Sequence, residues 1–444
     1  MITAPICEFV RRYRYSGALR MHMPGHKGAA LLGPEPLDLT EIEGADVLYH
    51  AEGIIRESEA NAAALFGTKK TVYSVEGSSL CIRAMLYLAL LHARANHKKP
   101  VIAAGRNAHK VFMTAAALLD LDIRWIYGTE SVISCAITPA QLEDVLVSEN
   151  PAAVYVTSPD YLGNIADIKS LSAVCKKHGV LLLVDNAHGA YLRFLPAPMH
   201  PMQLGADICC DSAHKTLPVL TGGAYLHIAH GTPDMLAQRA ESAMALFAST
   251  SPSYLILQSL DAMNPLLATS FPAQLKACAE RLDTLKAKLR AHGYALCGEE
   301  RTKLCLLPKS FGYTGTALAE ILTHSNIYCE FSDADHLVMM FTPETTPADF
   351  ARLERALLAV LPAPAILSKP PAPPHAERVL SPREALFSLS ETLPLSECEN
   401  RILADANVSC PPAVPLAVCG ERLTPEVISA MEYYGTEHCT VVVE

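Results

Sequence analysis

The sequence predicts an α/β fold built on a mostly parallel sheet covered by helices. Three observations predict it. Short apolar runs alternate with helical patterns, strand after helix after strand, from Thr71 to Cys210. The strand runs are apolar on both faces, Leu181-Leu182-Leu183-Val184 most plainly, as in a sheet sandwiched between helix layers. The chain has 444 residues, half of them hydrophobic and 18% charged, enough for a sizeable core and more than one packed unit.

Taken in order, Ile6, Phe9, Val10 and Tyr13 have helical spacing over residues 6–15. Met21-His22-Met23-Pro24-Gly25-His26-Lys27-Gly28 is punctuated by Pro-Gly and reads as loop, and an acidic, polar stretch runs on to about Ile54. Arg56–Phe66 is an alanine-rich helix stopped by Gly67. Thr71–Val75 is a strand, Ser79–Ala95 a long helix, Val101–Ala104 a strand and His109–Leu119 a helix. Ile123–Tyr127, Ala152–Thr157 and Val180–Val184 follow as strands, separated by helices at Pro139–Val147 and Leu171–His178. Ala206, Ile208, Cys209 and Cys210 close the series as a buried strand.

Ser251–His292 is a long helical region with a break expected near Pro272, and it leaves the first domain for a second. Cys305–Leu307, Ile327–Phe331 and His336–Phe341 read as strands around a helix at Ala317–Ile321, a small α+β unit. Prolines 362, 364, 370, 371, 373 and 374 mark a linker. Helices near Pro382–Ser388 and Thr424–Tyr433 belong to a last unit, and no internal repeat is visible. The expected partition is an N-terminal segment 1–40, a large domain 41–265, a small α+β domain 266–361, a linker 362–376 and a C-terminal domain 377–444.

Charge and composition exclude some functions. The net charge of −10 and the lack of a basic block argue against a nucleic-acid partner, and favour cationic substrates only mildly. Fourteen cysteines are scattered, many in apolar runs (Cys175, Cys209, Cys210, Cys305, Cys329) without zinc-type pairing, so buried free thiols and no metal are expected. No apolar run reaches membrane-spanning length and no signal-like segment opens the chain, which points to a soluble, cytoplasmic protein.

Four features fall at the C-terminal ends of expected strands, where open parallel sheets bind ligands. The first, Asp211-Ser212-Ala213-His214-Lys215-Thr216, puts a lysine where water is scarce. Desolvation favours its neutral, nucleophilic amine, able to hold an aldehyde as a Schiff base. A surface lysine closing a strand is the plainer reading of those six residues alone, with Ser212 and His214 as further donors. Glu76-Gly77-Ser78-Ser79 supplies backbone and hydroxyl donors at a helix start, suited to a phosphate or to simple capping. Asp185, within Val184-Asp185-Asn186-Ala187-His188-Gly189, carries a carboxylate into an apolar core. That is costly unless a partner such as a protonated heteroaromatic nitrogen meets it; a helix cap is the alternative. His109, in Arg106-Asn107-Ala108-His109-Lys110, would lie flat over a planar ring or serve as a cap or core residue. A phosphate cradle, a stacking histidine, a buried aspartate and a desolvated lysine, in that chain order, describe a pyridoxal phosphate site.

The same segments carry a more specific likeness. Met23-Pro24-Gly25-His26-Lys27-Gly28, Gly53-Ile54-Ile55 with Glu59, Phe66-Gly67, Gly77-Ser78-Ser79, Arg106–Lys110, Asp185–Gly189, Ser212–Leu217 and Pro411–Leu416 with Gly420-Glu421 are its motifs. From about residue 20 to its end the chain resembles the Orn/Lys/Arg decarboxylase family of fold type I pyridoxal phosphate enzymes, in the short form without a wing domain. The resemblance implies an aminotransferase-like large domain, with Lys215 as the Schiff-base lysine, Asp185 facing the pyridine nitrogen and His109 stacked on the ring. It places Ser78, Ser79, Ser212 and His214 around the phosphate, with Gly77, Ala187 and His188 also in the cofactor shell.

It further implies decarboxylation of lysine, ornithine or arginine to a diamine or agmatine, with Lys215, His214 or His26 of the partner subunit returning a proton to Cα. A homodimer or higher oligomer is implied as well, Met23–Gly28 serving a neighbouring site. The chain departs from the family pattern at Asn186, where glutamate is usual, at Ala413-Val414 for Gly-Ile, and at Ala417-Val418-Cys419, where a proline is usual. The same constellation also suits an aminotransferase or another lyase. A catalytically silent regulator of polyamine synthesis is the remaining alternative, and it would have no need of Lys215, Asp185 and His109 together.

Overall fold

The computed structural model describes residues 2–128, 134, 136–372, 374–409 and 415–443. It divides into two compact units, residues 1–99 with 168–273, and residues 100–167 with 274–444.

In chain order α1 (Pro5–Tyr15), α2 (Ile54–Phe66), β1 (Lys70–Ser74) and α3 (Gly77–Ala95) begin the first unit. β2 (Val101–Gly105), α4 (Lys110–Leu119), β3 (Asp122–Ile126), α5 (Pro139–Glu149) and β4 (Ala153–Thr157) belong to the second. The first unit resumes with α6 (Ile168–His178), β5 (Leu181–Asp185), α7 (Pro201–Leu204), β6 (Ile208–Asp211), α8 (Ala213–Thr216), β7 (Ala224–Ile228), α9 (Asp234–Ala245) and α10 (Tyr254–Ala268). After α11 (Phe271–His292) the second unit continues with β8 (Ala295–Cys297), β9 (Lys303–Leu307), α12 (Gly315–Thr323), β10 (Phe331–Ser332), β11 (Leu337–Met340) and α13 (Pro347–Leu358).

Within the first unit the strands run in the order β1-β7-β6-β5. β5 and β6 are parallel, while β7 is antiparallel to both its neighbours. Within the second, β2 pairs in parallel with β3 and with β4. The expected parallel α/β pattern is present within each unit, and in the first β7 runs against its neighbours. β7 escapes the sequence reading because it carries His227, its fourth residue; all five of its residues are buried, and His227 finds its partners inside.

The second unit also holds an antiparallel sheet in the order β10-β11-β9-β8. Alternate side chains of its strands enter two different cores, as the two-residue period of a strand requires. Leu304, Leu306, Leu337 and Met339 pack with Leu282, Leu289, Phe350 and Leu357, whereas Cys305 and Val338 pack with Leu403, Leu416, Val427 and Val441. The C-terminal segment thus completes one face of this sheet.

Some elements differ from expectation. The break in the long helical region falls between Ala268 and Phe271, and Pro272 occupies the first turn of α11, where its missing N–H is no loss. Of Ile327–Phe331 only Phe331 is in a strand, because the Ile327 N–H turns back to Leu322 O (3.1 Å) and closes α12. α9, α13, β8 and two short ribbons, Ser390–Pro394 with His438–Val442 and Asn407–Ser409 with Pro415–Val418, carry patterns too brief or too polar to stand out. Residues 411–414 of the C-terminal motif, and Pro373 of the linker, lie outside the described residues.

Candidate active site

The site is assembled at the ends of β1, β5 and β6 in the first unit. β6 is completely buried, and the chain leaves it through Ser212 into the one-turn helix α8, which holds Lys215 half-buried. Lys215 Nζ lies 3.1 Å from His188 Nε2, so amine and imidazole share a hydrogen. His188 stands three residues beyond Asp185, the last residue of β5, which is buried and opposite Cys210 in register. Asp185 Oδ1 accepts from the Ala187 N–H (3.1 Å) and lies 3.6 Å from the Cys210 thiol. Both contacts fix a carboxylate that apolar β5 would otherwise bury at high cost.

The third segment joins through hydroxyls: Ser212 Oγ donates to Ser78 Oγ at 2.8 Å. Gly77 opens α3 at φ 72°, a left-handed conformation that costs other residues energy, and its N–H donates to Gly222 O at 2.7 Å. Gly222 is needed for close approach, since a Cβ there would lie 2.7 Å from Val75 O. Glu76 does not cap α3; it accepts instead from the Ser249 N–H at 2.8 Å. Ser78 and Ser79 stand in the first turn of a long helix, where the dipole and N–H groups favour an anion. His214 Nδ1 donates to Gly223 O at 3.0 Å.

The structure thus draws together Ser78 with Ser212, Asp185 with Cys210, and Lys215 with His188. His109 belongs to the second unit, where it is exposed and caps α4, its Nδ1 accepting from the Val111 N–H at 3.3 Å.

A network that the sequence did not reveal lies at the next residue along each strand end. Asp211, fully buried, accepts at Oδ2 from His200 Nε2 (2.9 Å) and His227 Nε2 (3.2 Å). Its Oδ1 accepts from Asn186 Nδ2 at 2.7 Å. The Met202 N–H donates to His200 Nδ1 (3.3 Å), which leaves the proton of that ring on Nε2; Thr71 Oγ1 meets His227 Nδ1 at 2.9 Å. Burial by itself would raise the Asp211 carboxyl, but His200 and His227 more than offset it and hold it below the usual carboxylate range. Burial lowers His227, against the pull of Asp211. Ligand atoms of His200, Cys209 and Asp211 lie within 4.8 Å of one another, yet the imidazole N–H of His200 is already spent on Asp211. Only Asn186, next to Asp185 and unusual for the resembled family, hinted at this network.

In the second unit Arg106, which leaves β2 three residues before His109, forks onto Glu421 at 2.8 and 2.7 Å. Its guanidinium lies over Trp125 (4.9 Å) and Tyr127 (5.6 Å), and the Val418 N–H donates to Glu421 Oε2 at 2.9 Å. Elsewhere in the first unit Glu59 accepts from the Tyr73 N–H at 2.8 Å, and burial pushes its carboxyl up to about 8.

Pyridoxal phosphate needs an amine for its aldehyde, a carboxylate for its ring nitrogen and clustered donors for its phosphate. Lys215, Asp185 and the Gly77-Ser78-Ser79 turn with Ser212 and His214 are those donor types, held by direct contacts in one unit, and the donor set fits the group.

Known proteins match along the whole chain. The family described as Orn/Lys/Arg decarboxylase, major domain, matches residues 4–298. An arginine decarboxylase of Bacillus subtilis (strain 168) is 31% identical over 96% of this chain and 92% of its own length. One from Halalkalibacterium halodurans is 29% identical over 95% and 91%. The solved lysine decarboxylase of Francisella novicida superposes with TM-score 0.80 at 16% identity, over 100% of this chain and 81% of that one, a likeness of fold. The constitutive lysine decarboxylase of E. coli gives TM-score 0.77 at 16% identity over 100% and 82%. This chain belongs to the Orn/Lys/Arg decarboxylase family.

Proposed function

We propose that this decarboxylase of a basic amino acid uses arginine, giving agmatine and carbon dioxide, with pyridoxal phosphate held on Lys215. The contact of Lys215 Nζ with His188 Nε2 at 3.1 Å, at the strand ends that also carry Asp185, is the observation on which the reading rests. Similarity over nearly the full length to arginine decarboxylases supports the choice of substrate.

When bound, the cofactor supplies an electron sink for the breaking Cα–carboxylate bond. The chain's own residues do the rest. Asp185, fixed by the Ala187 N–H, offers an anion that keeps a ring nitrogen protonated. The Ser78 and Ser79 hydroxyls at the start of α3 would offer phosphate donors, with Gly77, Ser212 and His214 beside them. Lys215 is the nucleophile for the aldehyde and, freed from it, shares a hydrogen with His188, which places a proton donor for Cα beside the site. His109 is proposed as the ring-stacking imidazole on its sequence motif alone.

A homodimer is proposed from the N-terminal segment, which exposes Leu19, Met21, Met23, Leu31 and Leu32, the last to 91%. A cytoplasmic location is proposed from the twelve described cysteines, all free thiols. No helix among the described residues is long and apolar enough to cross a membrane.

The test is to incubate the purified protein separately with arginine, lysine and ornithine and identify the amine. Agmatine from arginine is expected; putrescine or cadaverine as the main product would refute the substrate, and a keto acid without carbon dioxide would refute decarboxylation. Lys215→Ala is expected to abolish both turnover and the borohydride-reducible visible chromophore. Wild-type turnover in that variant would remove Lys215 from the mechanism.

A further inference from the structure

Two cysteines of the second unit face each other across the antiparallel β8–β9 hairpin. Cys297 and Cys305 are register partners, and their sulfur atoms are 3.1 Å apart. Directly opposed residues in such a pair have Cα atoms about 4.5–5.5 Å apart, inside the span of about 4.4–6.8 Å that a disulfide tolerates. Bringing the sulfurs to the bonded distance of about 2.0 Å therefore takes a shift of about 1 Å and no change of register. By contrast Cys7 donates to Gln258 O, Cys81 to Gly77 O and Cys278 to Thr342 O. We propose that Cys297 and Cys305 are a reversible thiol–disulfide pair, a redox modification site separate from the decarboxylation chemistry.

The two sulfurs have different parts. Cys305 is 1% exposed, whereas Cys297 is only partly buried and meets an oxidant first. The hydrogen bond with Cys305 holds the Cys297 thiol below its ordinary value against burial, with His336 helping and Asp160 and Asp333 opposing. The same hydrogen bond, then burial, pushes Cys305 up, with Lys303 opposing and Asp160 adding to the rise. Cys297 is thus the attacking thiolate and Cys305 the resolving thiol. With a peroxide as oxidant, Cys297 sulfur bonds to one oxygen as the O–O bond breaks, and the released hydroxide takes the proton that Cys297 gave up and leaves as the first water. Cys305 sulfur then attacks Cys297 sulfur, the S–O bond breaks, and the Cys305 proton leaves with the second water. Two thiols are oxidised to one disulfide, and one hydrogen peroxide is reduced to two waters.

The bond would fasten a hairpin that grips a neighbouring turn. The N–H groups of Glu299 and Glu300 both donate to Gly163 O, at 2.8 and 2.9 Å, and Lys303 Nζ donates to Asp160 O at 3.2 Å. Gly298, at φ 78°, sits so close to that turn that a Cβ would lie 2.2 Å from Leu162 O.

The experiment treats reduced full-length protein with about one equivalent of hydrogen peroxide, then alkylates and digests it without reductant. Expected are a linked pair of peptides containing residues 297 and 305, the loss of two thiols per chain, and reversal by dithiothreitol. Cys305→Ser is expected to trap Cys297 as a sulfenic acid that dimedone labels, while the wild type resists labelling. Should both cysteines alkylate singly while other thiols oxidise, the pair is refuted. Equal dimedone labelling of Cys297 in the wild type and the variant refutes it too. The wild-type peptide map decides even if the variant does not fold.

Discussion

The first unit anchors its strand ends with one buried carboxylate and four donors, the Cys209 thiol among them, whereas the second anchors the His109 turn with a two-pronged ion pair. Asp211 spreads its load over Asn186, His200 and His227. Arg106 and Glu421 have each other, stacked against Trp125 and Tyr127. The hub is anionic and contains imidazoles; the fork is charge-balanced and contains none. A hub loses one spoke at a time, but a fork that loses one partner leaves a buried charge alone. The second kind of brace is the more brittle.

The largest effect is therefore expected at the fork. Arg106→Ala should cost about 3–5 kcal/mol in denaturant unfolding by stranding Glu421, and adding Glu421→Gln should restore part of the loss. Asp211→Asn comes next, at about 1–3 kcal/mol, because the new amide turns a donor toward groups that already donate. Were Asp211→Asn to cost more than Arg106→Ala, the ranking of hub below fork would be wrong.

Acidity separates the two braces further. His227 has a folded pKa below its unfolded value of about 6.5, so at lower pH the unfolded chain takes up a proton that the folded one refuses. Its contribution is fully present above about pH 6.5 and is lost as pH falls, and His227→Gln should flatten that slope in urea unfolding at pH about 7.5 against about 5.5. An unchanged slope in the variant would place the acid sensitivity elsewhere.

Glu59→Gln should act with the opposite sign. Burial raises Glu59 to about 8, so its native contribution is complete below the unfolded value of about 4.3 and is lost as pH rises toward about 8. The glutamine variant should gain on the wild type between about pH 6 and 8, and a parallel pair of stability curves would exclude a raised Glu59.

Much of this molecule was legible beforehand. The Leu181–Val184 and Ile208–Cys210 runs announced buried parallel strands, and Lys215, Asp185 and Ser78 were found at the strand ends where such sheets bind ligands. β7 was not legible, because its histidine looks polar until Thr71 and Asp211 are seen beside it. Arg106 and Glu421 each belong to a motif, but nothing in the sequence joins positions 315 residues apart. Cys297 and Cys305 read only as scattered thiols.

The sequence by itself determined which segments are strands and helices and which of them carry reactive groups, because periodicity and turn chemistry act over a few neighbouring residues. Tertiary structure alone decided the partners: His200 and His227 lie 11 and 16 residues from Asp211, His200 meeting it from the start of α7 and His227 because strand order brings β7 back, reversed, against β6. Strand order is set by the packing of whole layers, and no local pattern encodes it.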